Sequence, residues 1–563
     1  MKREKKWTIL HKTPSTFHKT QDIIDVLLNN RGIRTKKQKE EFFKPEKSEK
    51  ITVKSLGLSM REVNKVIKRL RQAKEKKETI VIYGDYDADG ICATAILWEC
   101  LHSLGFNVIP YIPDRFEEGY GLNAKSIENV KCQTLPDGRQ VSNVKLIITV
   151  DNGIVAYEAV DMASKLGIDV IITDHHLKGE LLPSAYSLIH TIQIGGAGIA
   201  WFLAREIYKK LQTSKTPNFQ NGLELAAIGT IADQIPLLKV NRSLVKYGLI
   251  ELNNTKRAGL IELFKEASLE KRSLGTYEVG YIIAPRINAM GRLAQGIDSL
   301  RLLCTINRKR AKELASKLGK TNRERQKIVG EVVLHADEKV AEHDWQGALV
   351  VAHESYHEGV IGLVASKLVE KYYRPAIVLY KGEEFSKASA RSISGFSIIE
   401  VLRKLEDLVE GVGGHDMAAG FTIRTEKIED FTKKLTQITK PLLKKDVLSK
   451  SVKVDLELPF EAINRNLIDQ LEKFEPTGTG NPLPVFTTKE VNVLDARTVG
   501  YEGKHLKLIL KKEGNSFNAI AFGLGDYLLK LSQNQKCDIV YSPFRNSWRG
   551  YENIELKVKD IKV

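Results

Sequence analysis

The clearest hydrophobic pattern in the chain is a series of short apolar runs that alternates with amphipathic stretches from residue 79 onward. Short apolar runs rich in β-branched residues predict buried strands, and apolar positions at helical spacing predict helices. An alternation of this kind favours a mostly parallel sheet with helices on both faces. The predicted strands are residues 80–83, 107–112, 146–150 and 169–173, with helices at 91–104 and 156–166.

Other patterns flank this region. The polar and basic N-terminal stretch looks helical, and residues 60–77 predict an amphipathic helix that packs on the next domain. Further along, a charged stretch predicts a connecting pair of long helices. A second α/β pattern follows it, and then short β-like runs that predict a small β-barrel. The predicted domains are a helical extension at 1–78, an α/β domain at 79–300, connecting helices at 301–345, a second α/β domain at 346–445 and a barrel at 446–563.

Length and charge bring in a candidate partner. A chain of 563 residues is too long for one hydrophobic core, which agrees with several domains. Its formal net charge is +17. An excess of this size favours attraction to a polyanion, most often a nucleic acid, over a merely well-solvated surface.

Cysteine usage and the lack of long apolar runs bear on location. The five cysteines are scattered and form no C-x-x-C pair, so neither a disulfide framework nor a zinc knuckle is predicted, which fits a reducing cytosol. No run is long and apolar enough for a membrane span, and no apolar run follows the basic N-terminus to make a secretory signal. We therefore expect a cytoplasmic protein that has no membrane partner.

Candidate chemistry is concentrated in the first half of the chain, at the ends of predicted strands and helices. Asp85, Asp151 and Asp174 each follow a predicted strand, where the ligands of parallel α/β sheets bind. Many oxygen ligands with few nitrogens suit a pair of divalent ions, Mn²⁺ or Mg²⁺ before Zn²⁺. Two such ions side by side are typical of phosphate-ester hydrolysis. The set comprises Asp85, Asp87, Asp89, Asp151, Asp174, His175, His176 and Asp233.

The spacing of Asp85, Asp87 and Asp89 has a rival interpretation as a calcium-binding loop. Such a loop needs a bidentate acid at its twelfth position, which is Ile96 here, and a helix rather than a strand before it. We therefore exclude it. A strand-to-helix turn with solvated acids stays an alternative, although three acids exceed what a helix cap needs. Asp151 alone is a weak signal and gains weight only from the set.

The strings around these residues resemble the DHH phosphoesterase superfamily, whose name quotes Asp174-His175-His176. Within it, the chain is most similar to the RecJ family of bacterial single-strand-specific 5′→3′ exonucleases. The resemblance covers nearly the whole chain in order, is weakest toward the N-terminus and shows no departure in the metal motifs. The matching strings lie at 84–90, 150–154, 173–176, 228–237, 285–293, 413–421 and 476–486.

The resemblance implies a fold and a metal centre. The fold is α/β: a mostly parallel-sheet DHH catalytic domain, a long helical connector, a second α/β DHH-associated domain that binds substrate, and a C-terminal β-barrel (OB-fold) that binds nucleic acid. The implied cofactors are two divalent cations, Mn²⁺ in preference or else Mg²⁺. Asp151 is the expected bridge between them, and His176, together with Asp174, is expected to act at the scissile phosphate. The implied metal ligands are Asp85, Asp87, Asp89, Asp151, His175 and Asp233.

Candidate substrate-binding groups lie outside this set. Ser389 and Arg391 offer a hydroxyl and a guanidinium, and a guanidinium binds phosphate in bidentate fashion. The residues alone favour a surface strand, but the resemblance implies that they hold the 5′ phosphate, together with Arg115. His415 follows two glycines that form either a phosphate-binding loop or a plain turn, and the resemblance implies substrate binding. Three further residues serve either substrate or structure: Arg286, Asn288 and Arg292.

Two other motifs have more than one interpretation. The glycines at residues 195–198 begin a helical run. One interpretation is that their backbone amides bind a phosphate, and the simpler one is that they allow close helix packing. His353 and His357 flank Glu354 at a spacing seen in metal sites, but the surrounding pattern predicts a loop. We interpret them as domain structure or a substrate contact rather than a zinc site.

Aromatic and basic residues are mixed near the end of the chain. Rings stack on unpaired bases and cations follow the backbone, so residues 544–549 favour a single-strand-binding barrel. For each ring taken singly, the barrel core is the alternative. The residues are Phe486, Phe517, Phe522, Tyr541, Phe544, Arg545, Trp548, Arg549 and Tyr551.

These expectations define one function and two rivals. We predict a metal-dependent exonuclease, specific for single-stranded DNA, that acts 5′ to 3′ and releases 5′-mononucleotides in DNA repair and recombination. The enzymatic rival is a DHH phosphodiesterase of short oligonucleotides or cyclic dinucleotides, and the other rival is a non-catalytic replication or repair scaffold. The predicted partner is single-stranded DNA. The resemblance alone implies a RecQ-type helicase and a single-strand-binding protein, and we expect a monomer.

Overall fold

The structure is a computed structural model that describes residues 5–11, 19–119, 121–132, 142–213, 222–270, 273–531, 535–548 and 551–563. Its contacts divide the chain into two compact units. The doubly wound unit comprises Phe17–Asn322 and Asn464–Pro484, and the barrel unit comprises Met1–Thr16, Arg323–Ile463 and Val485–Val563. Within the part of the chain that is described, no helix combines the length and apolarity needed to cross a bilayer.

Strands and helices are numbered here in chain order. The strands are β1 (Lys6–His11), β2 (Thr79–Gly84), β3 (Val108–Tyr111), β4 (Val144–Val150), β5 (Asp169–Asp174), β6 (Ser187–His190), β7 (Leu349–His353), β8 (Ala376–Tyr380), β9 (Phe385–Arg391), β10 (Val409–His415), β11 (Ala418–Arg424), β12 (Ser451–Glu457), β13 (Phe486–Val499), β14 (His505–Lys512), β15 (Asn515–Ala521), β16 (Lys536–Trp548) and β17 (Tyr551–Lys562). The helices are α1 (Thr20–Asn30), α2 (Lys36–Phe43), α3 (Met60–Glu75), α4 (Ala88–Ser103), α5 (Ala124–Cys132), α6 (Tyr157–Lys165), α7 (Gly196–Leu211), α8 (Leu223–Ala232), α9 (Lys239–Asn253), α10 (Ala258–Glu266), α11 (Thr276–Glu278), α12 (Ala284–Leu293), α13 (Ile297–Cys304), α14 (Arg308–Ala341), α15 (Ile361–Tyr372), α16 (Ile398–Arg403), α17 (Ile428–Thr439) and α18 (Arg465–Glu472).

The doubly wound unit is built on a parallel sheet whose five strands follow the order β3-β2-β4-β5-β6. Every residue of β2 is buried because helices cover both faces of the sheet. Ile80 and Ile82 pack into one core with α4, α7 and α8. Val81 and Tyr83 face the opposite way and pack with α5 and α6. The predicted parallel α/β fold is therefore confirmed.

The order of the strands creates a crevice at one position of this sheet. From β2 the chain crosses through α4 to β3 on one side, and it then returns to the other side of β2 to form β4. Neighbouring connections therefore diverge at the carboxyl ends of β2 and β4. In open α/β sheets, ligands bind at such a switch point.

The N-terminal region is only partly helical. As predicted, α3 is amphipathic, and its buried side chains Val63, Val66 and Leu70 join the core beneath the parallel sheet. The helical expectation is wrong for Lys6–His11, which form β1 and pair in parallel with β12. The reason is their alternating pattern, since Trp7 and Ile9 pack together against apolar side chains of the barrel unit.

The predicted connecting pair of helices is instead one long helix. Helix α14 runs without a break for 34 residues. Two glycines lie inside it, but a helix-interior glycine costs only about 1 kcal/mol relative to alanine and does not end a helix. At Gly319 a β-carbon would collide with the Glu266 carboxylate, so close packing explains the glycine.

The barrel unit contains two sheets. A five-stranded mixed sheet has the order β10-β11-β9-β8-β7, in which β7 and β8 are parallel and the other neighbours antiparallel. A closed five-stranded barrel follows, because β13 pairs with both β14 and β16, while β15 and β17 complete the ring. Closure of a short Greek-key barrel is the OB-fold arrangement, which confirms the predicted C-terminal fold.

One segment of the C-terminal region is not part of the barrel unit. Asn464–Pro484, which includes α18, belongs to the doubly wound unit, although the chain before and after it belongs to the barrel unit. Phe474 of this segment packs edge-to-face against Phe42 and Phe43, which lie at the end of α2. The predicted boundary at residue 446 does not distinguish this segment from the barrel.

Candidate active site

The turn after β2 places three carboxylates at the start of α4. Asp87 caps the helix, since its carboxylate accepts the backbone N–H groups of Asp89 at 2.9 Å and Gly90 at 3.0 Å. A β-carbon at Gly90 would lie 2.6 Å from the Asp85 side chain, so the turn requires glycine there. The interpretation as a cap is correct for Asp87 but incomplete, because Asp85 and Asp89 are buried rather than solvated.

Asp89 is held by the start of a second helix. Its two carboxylate oxygens accept the N–H groups of Gly196 at 2.7 Å and Ala197 at 3.0 Å, the first residues of α7. A helix N-terminus stabilises a negative charge in this way. The glycine cluster therefore anchors a carboxylate instead of a phosphate. Close packing explains why a glycine is needed at residue 196, since a β-carbon there would lie 2.5 Å from Asp151.

Asp151 follows β4 in a strained backbone conformation. Its φ is +64°, in the left-handed region that non-glycine residues rarely adopt, and it is 2% exposed. Oxygen Oδ1 is buried without a hydrogen-bond partner and lies 3.0 Å from Nε2 of His175. Two potential ligand atoms this close, with no hydrogen bond between them, are able to bind one cation together. Strain combined with an unpaired buried oxygen is typical of functional sites.

The three residues of the DHH string have different tasks. Asp174 accepts the N–H groups of His175 at 2.7 Å and His176 at 3.0 Å, and its Oδ1 also lies 2.7 Å from Nδ1 of His176. Its other oxygen accepts the Ile154 N–H at 2.9 Å. Asp174 is thus fully occupied in orienting the turn and the His176 ring. The imidazole of His175 points elsewhere, and its Nε2 lies 3.5 Å from Asp233 and 4.0 Å from Asp89.

Burial and mutual repulsion strongly perturb these carboxylates. Burial, followed by the charges of neighbouring carboxylates, raises the pKa values of Asp85 and Asp151 well above the ordinary range. The same causes raise the pKa of Asp89 to about 7 and that of Asp233 to about 8. A bound cation would remove the repulsion that holds these protons.

The two histidines are perturbed in opposite directions. Burial, together with the charge of His176, lowers the pKa of His175 to about 4, so its imidazole is neutral and suited to bind a metal. Burial by itself lowers the pKa of His176, but its hydrogen bond to Asp174 and the Asp174 charge outweigh this effect and raise the pKa to about 9. His176 is therefore a cation at neutral pH.

The donor set fits hard or borderline divalent cations. Three groups of ligand atoms each lie within 4.8 Å of one another, and two of them share Asp151. The group that includes His176 is the weakest of the three, because the charged His176 ring is bound to Asp174. Carboxylates in excess of imidazole suit Mn²⁺ or Mg²⁺. The three groups are Asp85, Asp87 and Asp151; Asp89, His175 and Asp233; and Asp151, His175 and His176.

The substrate candidates in the doubly wound unit divide into two kinds. Two of them support the structure: Asn288 accepts the Ala88 N–H at 2.7 Å, and Arg286 forms an ion pair with Glu266 at 2.7 Å. The other two are near Tyr86. The Arg115 guanidinium stacks 5.2 Å above the Tyr86 ring, and the positive charge of Arg292 also acts on this tyrosine.

The substrate candidates in the barrel unit share one sheet. Arg391 donates to Ser389 Oγ at 3.1 Å and to the Ala390 carbonyl at 2.8 Å. His415 is exposed at the end of β10, and Ala418 of β11 pairs with both His415 and Arg391, so the three lie in one row across the sheet. Residues directly opposite in neighbouring strands point to the same face. The sheet thus places His415 on the side of Arg391.

His353 and His357 do not form part of a metal site. The ring of His353 is 2.7 Å from the Ser355 hydroxyl, and Nδ1 of His357 accepts the Gly359 N–H at 3.0 Å. In the described part of the chain, no group of metal-ligand atoms includes either histidine. Both stabilise the loop that follows β7.

The aromatic residues of the barrel divide between core and surface. Phe486 and Tyr541 are fully buried, so the core alternative is correct for them. Phe522 is 55% exposed with Lys557 5.4 Å from its ring, and Tyr551 is 76% exposed. The Trp548 side chain and Arg549 lie outside the described residues. The exposed rings retain the predicted base-stacking chemistry.

Comparison with known proteins agrees with this geometry. Three family models match in order: the DHH family N-terminal domain at residues 79–230, the DHHA1 domain at 346–440 and the RecJ OB domain at 454–560. The chain is 32% identical to the single-stranded-DNA-specific exonuclease RecJ of Haemophilus influenzae, over 89% of this chain and 90% of that protein. The chain belongs to the RecJ family. Both the predicted family and the predicted fold class are thereby confirmed.

Other members of the RecJ family give the same result. The Bacillus subtilis RecJ is 36% identical over 90% of this chain, which spans 64% of that longer protein. The crystal structure of Thermus thermophilus RecJ in complex with Mn²⁺ superimposes with a TM-score of 0.81, at 28% identity, and covers 99% of this chain and 79% of that one. The Mg²⁺ complex of the same protein gives 0.75 at 27% identity, covering 99% and 78% of the two chains. RecJ structures thus contain the two metals predicted for this acidic cluster.

Gly362 shapes the phosphate-binding candidates and was not predicted from the sequence. A β-carbon at Gly362, in the first turn of α15, would lie 2.9 Å from both the Ser389 hydroxyl and the Arg391 guanidinium. The glycine therefore lets the helix approach β9 closely. A glycine at the start of an otherwise helical pattern was the available signal.

Proposed function

We propose that this chain is a single-strand-specific DNA exonuclease that starts at a 5′ end and releases 5′-mononucleotides, in DNA repair and recombination. The observation that carries the proposal is the buried cluster of carboxylates and one neutral imidazole around Asp151, at the switch point of the parallel sheet. Membership of the RecJ family supports the substrate class.

In the proposed mechanism, two divalent cations are held by six side chains. When bound, Mn²⁺ or Mg²⁺ supplies Lewis acidity and lowers the pKa of water toward neutrality. Asp151 would be available to both ions, because it groups with Asp85 and Asp87 on one side and its Oδ1 lies 3.0 Å from Nε2 of His175 on the other. The proposed ligands are Asp85, Asp87, Asp89, Asp151, His175 and Asp233.

His176 acts on the phosphate by charge. Its ring is held by Asp174 at 2.7 Å and remains protonated because the pKa is raised to about 9. A fixed positive charge stabilises the negative charge that develops on phosphate oxygens in the transition state. Asp174 contributes through His176, as the group that orients the ring and maintains its charge.

The 5′ end is recognised in the proposal by Ser389 and Arg391. They lie side by side on β9, and a guanidinium with an adjacent hydroxyl suits a terminal phosphate. His415 supplements this contact from the same sheet. Arg115 and Arg292 belong to the doubly wound unit and are proposed as separate substrate contacts of that unit. Arg286 and Asn288 keep supporting roles, because their side chains are bound to Glu266 and the Ala88 amide.

The barrel supports the choice of single strands in this proposal. Exposed rings such as Phe522, which has Lys557 beside it, stack on unpaired bases, whereas a duplex keeps its bases inside. We further propose that the chain works as a monomer in the cytoplasm, alongside a RecQ-type helicase and a single-strand-binding protein that supply and cover its substrate. Both proposed partners act on chromosomal single-stranded DNA.

The proposal is tested with end-labelled DNA and Mn²⁺. A 5′-labelled single strand should release labelled mononucleotide at once, a 3′-labelled strand should release it last, and a blunt duplex should persist. Digestion from the 3′ end, or equal digestion of duplex, would contradict the proposal. Faster turnover of dinucleotides than of long strands would favour the phosphodiesterase rival, and no hydrolysis with any divalent ion would favour the scaffold.

A further inference from the structure

A tight turn at residues 478–481 lies against the loop that carries Asp233. The Gly478 N–H donates to the Asn481 carbonyl at 2.8 Å, and the Asn481 N–H donates back at 3.1 Å. Gly480 has a φ of +74°, as the second central residue of a type II turn requires. At the tip, the Thr479 carbonyl accepts the Leu237 N–H at 2.7 Å.

The loop from residue 233 to 238 depends on its surroundings for its shape. Its first end is tied to α8, where the Asp233 N–H donates to the Gly229 carbonyl at 2.9 Å. Gln234 then adopts a φ of +57°, which costs a non-glycine residue free energy unless neighbours enforce it. At the other end, Leu237 is buried and its N–H donates to Thr479. The turn is therefore one of the contacts that fix the path of the Asp233 loop.

The turn is itself held rigidly within the doubly wound unit. Arg242 of α9 is 1% exposed and donates to four consecutive backbone carbonyls at 2.8–3.1 Å. The buried side-chain amide of Asn481 donates to two of the same carbonyls, at 2.7 and 2.9 Å. The carbonyls belong to Lys473, Phe474, Glu475 and Pro476, of which Asn481 contacts those of Phe474 and Pro476.

We infer that the turn at residues 478–481 is a positioning element of the metal centre, which holds Asp233 in place through Leu237 and Pro236. The inference rests on the proposed function, since it requires Asp233 to be a metal ligand. It implies that the turn at residues 478–481, in the C-terminal part of the chain, affects the affinity for metal. Groups that orient metal ligands without touching the metal commonly change its affinity by about 10–100-fold when altered.

Gly480 is the position at which this inference is tested. A β-carbon there would lie 2.9 Å from Cβ and 3.3 Å from Cα of Pro236, a rigid ring that cannot turn aside. Gly480→Ala should therefore push the Asp233 loop. Gly105→Ala is the matched control, because Gly105 lies in the same unit with a φ of +75° but has nothing within 4 Å of its added carbon. Both substitutions place a side chain on a backbone with nearly the same positive φ.

The measurement is the binding of Mn²⁺ to the full-length protein by calorimetric titration, with the melting temperature in EDTA recorded for each variant. Gly480→Ala should weaken Mn²⁺ binding about tenfold relative to Gly105→Ala. The two variants should melt within a few degrees of each other in EDTA. Saturating Mn²⁺ should restore most of the nuclease turnover. Gly480→Asn adds the same β-carbon with a side chain that tolerates positive φ, and it serves if the alanine variant fails to fold.

Mn²⁺ binding by Gly480→Ala equal to that of Gly105→Ala would overturn the inference. The inference would also fail if both Gly480 variants bound Mn²⁺ more weakly but also melted at a much lower temperature than Gly105→Ala in EDTA. That result would indicate general unfolding. Asp233→Asn and the unaltered protein distinguish a failure of this inference from a failure of the proposed function. If it leaves Mn²⁺ affinity unchanged, Asp233 is not a ligand and the inference fails, and if the unaltered protein binds no Mn²⁺, the proposed function itself fails.

Discussion

The metal-ligand candidates and the phosphate-binding candidates differ in how their side chains are held. Asp85, Asp89 and Asp151 are buried and carry raised pKa values. Helix amides fix Asp89, and a strained backbone positions Asp151. Ser389 and Arg391 are half-buried on a strand, and their chemistry is ordinary for a surface sheet. The first group stores electrostatic repulsion that a cation relieves, while the second offers donors that any phosphate can use. We expect substitutions in the first group mainly to lower turnover and substitutions in the second mainly to raise KM.

The largest effect should follow from Asp151→Asn. Asparagine tolerates the positive φ at this position, so the backbone is kept while the shared carboxylate is lost. Turnover should fall roughly a thousandfold, because several kcal/mol of transition-state stabilisation depend on the metal. Affinity for single-stranded DNA should stay nearly unchanged in a binding assay with EDTA.

Asp161→Asn, on the exposed face of α6, is the control for a changed charge of the same size. Retained turnover in Asp151→Asn would remove Asp151 from the ligand set. The buried carboxylate also repels its neighbours, so we expect Asp151→Asn to raise the melting temperature in EDTA.

A smaller and different loss should follow from Arg391→Ala. We expect KM for a 5′-phosphorylated strand to rise about 10–100-fold, since hydrogen bonds to a charged group contribute about 1.5–3 kcal/mol, with a lesser change in kcat. A strand with a 5′ hydroxyl should show little change. Lys387→Ala, an exposed cation on the same strand, controls for general loss of charge. An equal loss on both substrates would show that Arg391 does not read the terminal phosphate.

The smallest effect is a dependence of metal stabilisation on pH. Because the pKa values of Asp89 and Asp233 are raised to about 7 and 8, the folded protein binds more protons than the unfolded chain between pH values near 4 and 8. Stability without metal therefore falls as the pH rises through this window. Mn²⁺ displaces these protons, so the gain in melting temperature on adding Mn²⁺ should be larger at pH 8 than at pH 6. Asp233→Asn should reduce the difference, and equal gains at both pH values would contradict the assigned shifts.

The parallel sheet and part of the metal site were predictable from local pattern. Asp85 and Asp151 follow apolar strands and Asp174 ends one, and the carboxyl ends of parallel strands meet at one edge. Asp233 follows a helix and offers no such pattern, so by itself it is a weak signal that gains weight only from the set of acids and from the family resemblance. The separate task of Asp174, which orients His176, also depends on side-chain directions that spacing does not give.

The features that were not predicted depend on contacts between distant parts of the chain. β1 pairs with β12, and side chains of both strands pack into one apolar cluster. This pairing joins segments that are far apart in the sequence. The same holds for Asn464–Pro484, whose partners Arg31 and Arg242 lie far away in sequence. Local propensity carries no information on such pairings, which explains why the domain boundaries drawn from composition missed them.

The path of residues 464–484 has a practical consequence for shortened versions of this protein. A truncation after residue 445 would remove the OB barrel, but it would also strip Arg242 of four of its carbonyl acceptors and expose Phe42. A buried guanidinium without acceptors is costly, so the remaining fragment would lose stability for reasons unrelated to DNA. Deleting the barrel strands while retaining these twenty-one residues would instead report on the barrel alone.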